Sequence, residues 1–142
     1  MEIVLLRTGG AGKAAIVELP GGAVLTVQDG ISRPGEPHPS GVVYGAAISY
    51  VSISPTSWSE AIAANPAHRQ QLVRVQGWSY EGFGRVASVM PPMIDFGVLT
   101  MEDANWTDDE RLVGKFVRIE IDRLEVTVKP ELAAEDEKAA RH

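Results

Sequence analysis

The chain has 142 residues, 44% hydrophobic and 23% charged, the composition of one ordinary globular domain long enough to bury a core. It has no cysteine, which excludes disulfides, zinc–thiolate centres, iron–sulfur clusters and thiol nucleophiles. Its net charge of −6, from 19 acidic against 13 basic residues, lacks the counterion-release energy behind non-specific nucleic-acid binding and suits a basic protein partner.

The acidity is not confined to the C-terminal tail: without residues 130–142 the body still has 15 acids against 11 bases. No apolar run approaches the roughly 18 residues that cross a bilayer, so no membrane association is expected. The first residues, Met1-Glu2-Ile3-Val4-Leu5-Leu6-Arg7, lack the basic start and cleavage site of a secretory signal, and the chain reads as cytosolic.

Residues 2–7, 13–19 and 23–27 are short β-rich runs separated by Gly-rich breaks, which predicts a three-stranded meander. Gly9-Gly10-Ala11-Gly12-Lys13-Ala14 resembles a phosphate loop, but Arg7 stands at the first glycine position and Ala14 at the hydroxyl position. A hairpin turn is the reading. Residues 33–41 contain Pro34, Pro37 and Pro39, whose fixed φ and missing amides make an exposed loop.

Residues 42–53 are apolar on both parities and predict a central strand, with Gly45, Ala46 and Ala47 open to close approach by a neighbour. Ser57-Trp58-Ser59-Glu60 has the spacing of a capping box, so a short helix follows and ends at Asn65-Pro66. Strands are expected at 72–78, 85–90 and 93–101, with a turn across Tyr80, Gly82, Phe83 and Gly84 and with Gly97 inside the third. Thr107-Asp108-Asp109-Glu110 is a second capping-box pattern and predicts one helical turn.

The last strand is the clearest. Val117, Ile119 and Ile121 alternate with polar residues, then the parity flips to Leu124, Val126 and Val128. An extra residue near Asp122-Arg123 accounts for the flip and implies a bulge of the kind that bends barrel strands. The tail after Pro130 reads as either frayed helix or flexible chain. The expected fold is mainly β: a small antiparallel barrel or roll of OB-like pattern over residues 1–129, one inserted helix, and a charged flexible or helical tail at 130–142.

No motif carries a defined chemistry. His38, His68 and His142 lack metal-ligand spacing, so no metal or other cofactor is expected. Asp95-Phe96-Gly97 spells the kinase magnesium tripeptide without its catalytic context. No nucleophile elbow is present, and the acids Asp108, Asp109 and Glu110 suit a helix start rather than a calcium loop. Asn105-Trp106-Thr107 is a glycosylation sequon only for a secreted chain.

Three functional classes follow. The first is a non-catalytic interaction module with a protein partner, suggested by the acidic surface, the Pro-rich loop and possible edge strands. The second is an OB-like binder of single-stranded nucleic acid or oligosaccharide through Arg74, Trp78, Tyr80, Phe83 and Arg85, stacking on a sheet face. The third is an enzyme using a carboxylate pair, Asp95 with Asp103 or Glu81, whose environments separate their pKa values.

Overall fold

Among the described residues, short runs of alternating apolar residues become ten strands, and two stretches lacking that alternation form α-helices. The computed structural model describes residues 1–53 and 56–141. Contacts divide the chain into two compact units, one of Met1–Ser49 with the chain from Leu124 onward, the other of Tyr50–Arg123.

In the first unit, β1 (Ile3–Thr8), β2 (Ala14–Glu18) and β3 (Val24–Asp29) form the expected antiparallel meander. The phosphate-loop look-alike is the β1–β2 turn, where Gly9 N donates to Ala14 O and Lys13 N to Gly10 O, each at 3.0 Å. Leu5, Val17 and Leu25 lie opposite one another and are buried. The edge strand β4 (Gly41–Val43) pairs with β1. The strand expected over 42–53 is therefore interrupted. Gly45 has φ +73, a turn conformation no strand accommodates, and β5 (Ala46–Ser52) starts after it.

In the second unit, α1 (Trp58–Ala63) is capped by Ser57, whose Oγ accepts from Glu60 N at 3.2 Å. The turn expected at 80–84 falls earlier, at Gly77-Trp78, where Gly77 takes φ +51. It joins β6 (Gln71–Gln76) to β7 (Ser79–Ser88), one unbroken ten-residue strand. Residues 93–101 are not one strand but a hairpin of β8 (Met93–Asp95) and β9 (Thr100–Glu102), turning at Gly97 with φ +91. The helical turn predicted from Thr107 is a 3₁₀ turn at Glu110–Leu112, capped by Asp109.

The long strand β10 (Phe116–Val128) belongs to both units. Up to Ile121 it pairs with β7, antiparallel; from Glu125 it pairs with β3, parallel. The parity flip read from the sequence sits between these stretches: Ile121 and Leu124 are both buried, with Asp122 and Arg123 between them. The two intervening residues change the strand's partner rather than turn a barrel corner.

The hydrogen-bonded order is β4-β1-β2-β3-β10-β7-β8-β9, with β5 also on β10 and β6 also on β7. Among the described residues no pairing joins the end strands β4 and β9, and the β3–β10 pairing is parallel, so the expected closed antiparallel barrel is not what the strands build. The sheet is open and mixed.

The tail is not loose chain. It forms α2 (Pro130–Ala140), with proline at the first turn, where its missing amide costs nothing. Asp136 accepts from Gly45 N at 2.6 Å and lies 3.5 Å from the N-terminal ammonium. A Cβ at Gly45 would sit 2.7 Å from the Ala133 Cα, so only glycine admits the helix backbone this close.

Candidate functional site

The five residues singled out as a stacking surface do not share one face. Tyr80 and Phe83 differ in parity on β7, so they point to opposite sides, and they are only 4% and 5% exposed. Arg74 lies opposite Tyr80, and its Nε donates to Gly77 O at 2.7 Å, closing the turn in which Trp78 is half-buried. Arg85 is exposed, on the side of β7 that carries Phe83. The structure thus brings Phe83 and Arg85 together and sets Tyr80 and Arg74 apart from them.

Around Phe83 and Arg85 stand residues that the sequence reading passed over. Phe116 lies opposite Arg85, and Arg118 opposite Phe83. The Arg69 guanidinium covers the Phe83 ring at 4.2 Å, and His68 stacks on Phe116 at 4.5 Å with 6° between planes. Asn65 holds this cover in place, donating to Arg69 O and Val117 O, each at 3.1 Å, and accepting from Arg69 N at 2.9 Å. Arg118 is bound by Glu81 at 3.0 Å and Glu120 at 3.2 Å, which raises its pKa: the Glu81 hydrogen bond comes first, against burial. Both rings are already occupied by cations or a flat partner from their own chain.

The three carboxylates considered for acid–base work are engaged separately. Asp95 accepts from Gly97 N at 2.8 Å and shapes the hairpin, while Glu81 is bound to Arg118. Asp103 is buried, accepting from the Tyr50 hydroxyl and from Asn105 N at 2.8 Å. Burial and the Asp103 charge push the Tyr50 phenol far above its ordinary range, so it remains a hydrogen-bond donor. Beside this pair lies a cavity of about 40 Å³, lined among others by Ser52, Thr56, Trp58, Asp103, Asn105 and Glu120. The Trp58 Nε1 is buried without a hydrogen-bond partner among the described residues.

In the first unit, Asp29 is 3% exposed and acts as a hub. One carboxylate oxygen accepts from Ile31 N at 2.7 Å and Ser32 N at 2.8 Å; the other accepts from Ser32 Oγ at 2.6 Å and from Thr8 Oγ1. Ser32 Oγ in turn accepts from His38 N at 2.9 Å, which pins the Pro-rich loop at its centre. The loop is exposed, as its prolines imply, with His38 tied back to Ser32.

The outward side of β4, β1, β2 and β3 carries exposed valines among polar residues such as Glu18, Arg7, Thr26 and Gln28. Val42, Val4, Glu18 and Val24 form one cross-strand row, and Val42 and Val24 are 50% and 54% exposed. Leu6 at the β1 bulge is exposed as well, and Ile16 is half-buried on the same side of β2.

Among the described residues no group of three or more His, Asp or Glu could hold a metal ion, and no helix is long and apolar enough to cross a membrane. Comparison with family models, with curated proteins and with solved structures gave no match to the chain.

Proposed function

We propose that this protein is a non-catalytic interaction module whose partner is another protein, bound on the outward face of the β4-β1-β2-β3 sheet. The observation that carries the reading is the row Val42–Val4–Glu18–Val24, with Leu6 beside it, on strands whose opposite side is fully buried. Exposed valines flanking a carboxylate, Glu18, on one sheet face offer apolar footing to a partner's side chains and an acceptor to a basic one. The unit bearing it has nine acids against six bases, so a partner with apolar residues rimmed by Lys or Arg fits its charge.

The size of the effect can be bounded. Burying the exposed half of a valine returns about 1 kcal/mol, and placing a carboxylate there instead adds a desolvation cost. Val24→Asp with Val42→Asp is therefore expected to weaken the complex about a hundredfold or more. Isothermal titration against the purified partner checks this; equal affinity in wild type and double variant would refute the face as the site.

The nucleic-acid or oligosaccharide reading through Arg74, Trp78, Tyr80, Phe83 and Arg85 gains nothing from this geometry. A stacking platform needs rings on one accessible face, and Tyr80 and Phe83 are buried on opposite ones.

A further inference from the structure

At one end of the row Val42–Val4–Glu18–Val24 the sheet face runs into an open cleft of about 340 Å³. Its walls are Val4 and Glu18 of the row itself, with Glu2 and the β2–β3 turn at residues 19–22. That turn is closed by Leu19 N donating to Ala23 O at 2.7 Å and Gly22 N to Leu19 O at 3.0 Å. The volume is near the lower limit, roughly 300 Å³, at which a cleft takes a whole small molecule. Because it shares two residues with the row, its occupant is a side chain of whatever covers the row. The inference therefore rests on the protein-partner reading.

The charge of that side chain follows from the two carboxylates. Glu18 is half-buried opposite Val4, and Glu2 stands two residues before Val4 on the same side. Such diagonal neighbours lie about 7–8 Å apart, within reach of long side chains. Neither has a hydrogen bond or ion pair among the described residues. The neighbouring cations do not neutralise them. The N-terminal ammonium donates to Ala46 O at 2.7 Å and lies 3.5 Å from Asp136. Arg7 stands opposite Ile16, on the other side of Glu18 from Glu2, and forms no ion pair with it. Two like charges at such positions repel, and a cation between them removes that cost.

The molecule already contains the arrangement that satisfies such a pair. Glu81 and Glu120 stand opposite one another on β7 and β10 and hold the Arg118 guanidinium, at 3.0 and 3.2 Å. A guanidinium has five donors in one plane and can face a carboxylate on each side, whereas an ammonium is a compact, strongly hydrated point charge. An anion is repelled, and a neutral group leaves both charges uncompensated. We infer that the cleft seats an arginine side chain of the partner, its guanidinium between Glu2 and Glu18 and its apolar neighbours on Val4 and Val24.

The test uses the full chain labelled with nitrogen-15 and the acetylated, amidated peptide Val-Thr-Arg-Thr-Val, whose valines share a side with arginine when it is extended. Two counterparts carry lysine or citrulline in place of arginine; citrulline keeps the shape and removes the charge. The expected result is a saturable shift of the Glu18, Gly21 and Gly22 amides with the arginine peptide, at low ionic strength. The citrulline peptide should bind about tenfold more weakly or not at all, and the lysine peptide more weakly than arginine. Glu2→Gln with Glu18→Gln, checked for an intact fold by its amide spectrum, should lose the preference for arginine over citrulline. The inference is overturned if those amides show no saturable shift, if lysine or citrulline binds as tightly as arginine, or if the double variant keeps the preference. Shifts confined to Val24 and Val42 overturn the arginine cleft and leave the face as the partner's site, which the Val24→Asp, Val42→Asp variant tests separately.

Discussion

Asp29 shows how much one side chain can organise. Burial alone would raise its carboxyl, but hydrogen bonds from Ser32, Thr8 and Ile31 outweigh it and hold the group below the ordinary carboxylate value. A depressed folded pKa means that the stability is present above the unfolded pKa and is lost as pH falls through the folded one, a window lying below about pH 4. Asp29→Asn, which cannot titrate, is expected to show a flatter stability profile as pH falls from ~pH 5 to ~pH 2 in urea titrations. Asp29→Ala should cost about 3 kcal/mol, because four donors lose their acceptor at once. Phe83 makes the complementary point. Under the stacking hypothesis Phe83→Ala would abolish ligand binding and leave the fold intact. The burial of its ring beneath Arg69 predicts instead a loss of about 3–5 kcal/mol in denaturant unfolding.

At the scale of elements, α2 and Gly45 are one device. Gly45 leaves room for the Ala133 backbone, and Asp136 ties the turn and the chain's first residue to the helix. Asp136→Ala is expected to cost about 1–2 kcal/mol and to speed amide exchange in α2. Gly45→Val should be worse, since it combines a β-branched residue at positive φ with a steric overlap. Unchanged exchange in α2 for both variants would mean that the helix is not held this way. The same elements show what the sequence could disclose. The meander, the Ser57 cap and the parity flip in β10 were legible, because each depends on residues close together in the chain. The partner change behind the flip was not, since choosing β3 or β7 is a long-range event. Neither was the face carrying Phe83: it depends on whether the hairpin turns at Gly77 or at Gly82, and both are glycines. Arg69 lies 14 residues from Phe83 in the sequence, with no periodicity to link them.

At the scale of the whole molecule, the proposal is that the outward row Val42–Val4–Glu18–Val24 serves recognition rather than folding. Val24 and Val42 are half-exposed, so replacing them should change stability by little, within about 0.5 kcal/mol for surface sites, while removing the partner's apolar footing. The deciding measurement is quantitative capture from a lysate of the source cells in moderate salt, run in parallel on the wild type and on the Val24→Asp, Val42→Asp double variant. Thermal unfolding establishes beforehand that both are folded. One protein is expected to be retained in stoichiometric amount by the wild type and lost from the double variant. Retention by both to the same extent, or no stoichiometric protein on the wild type, would contradict it.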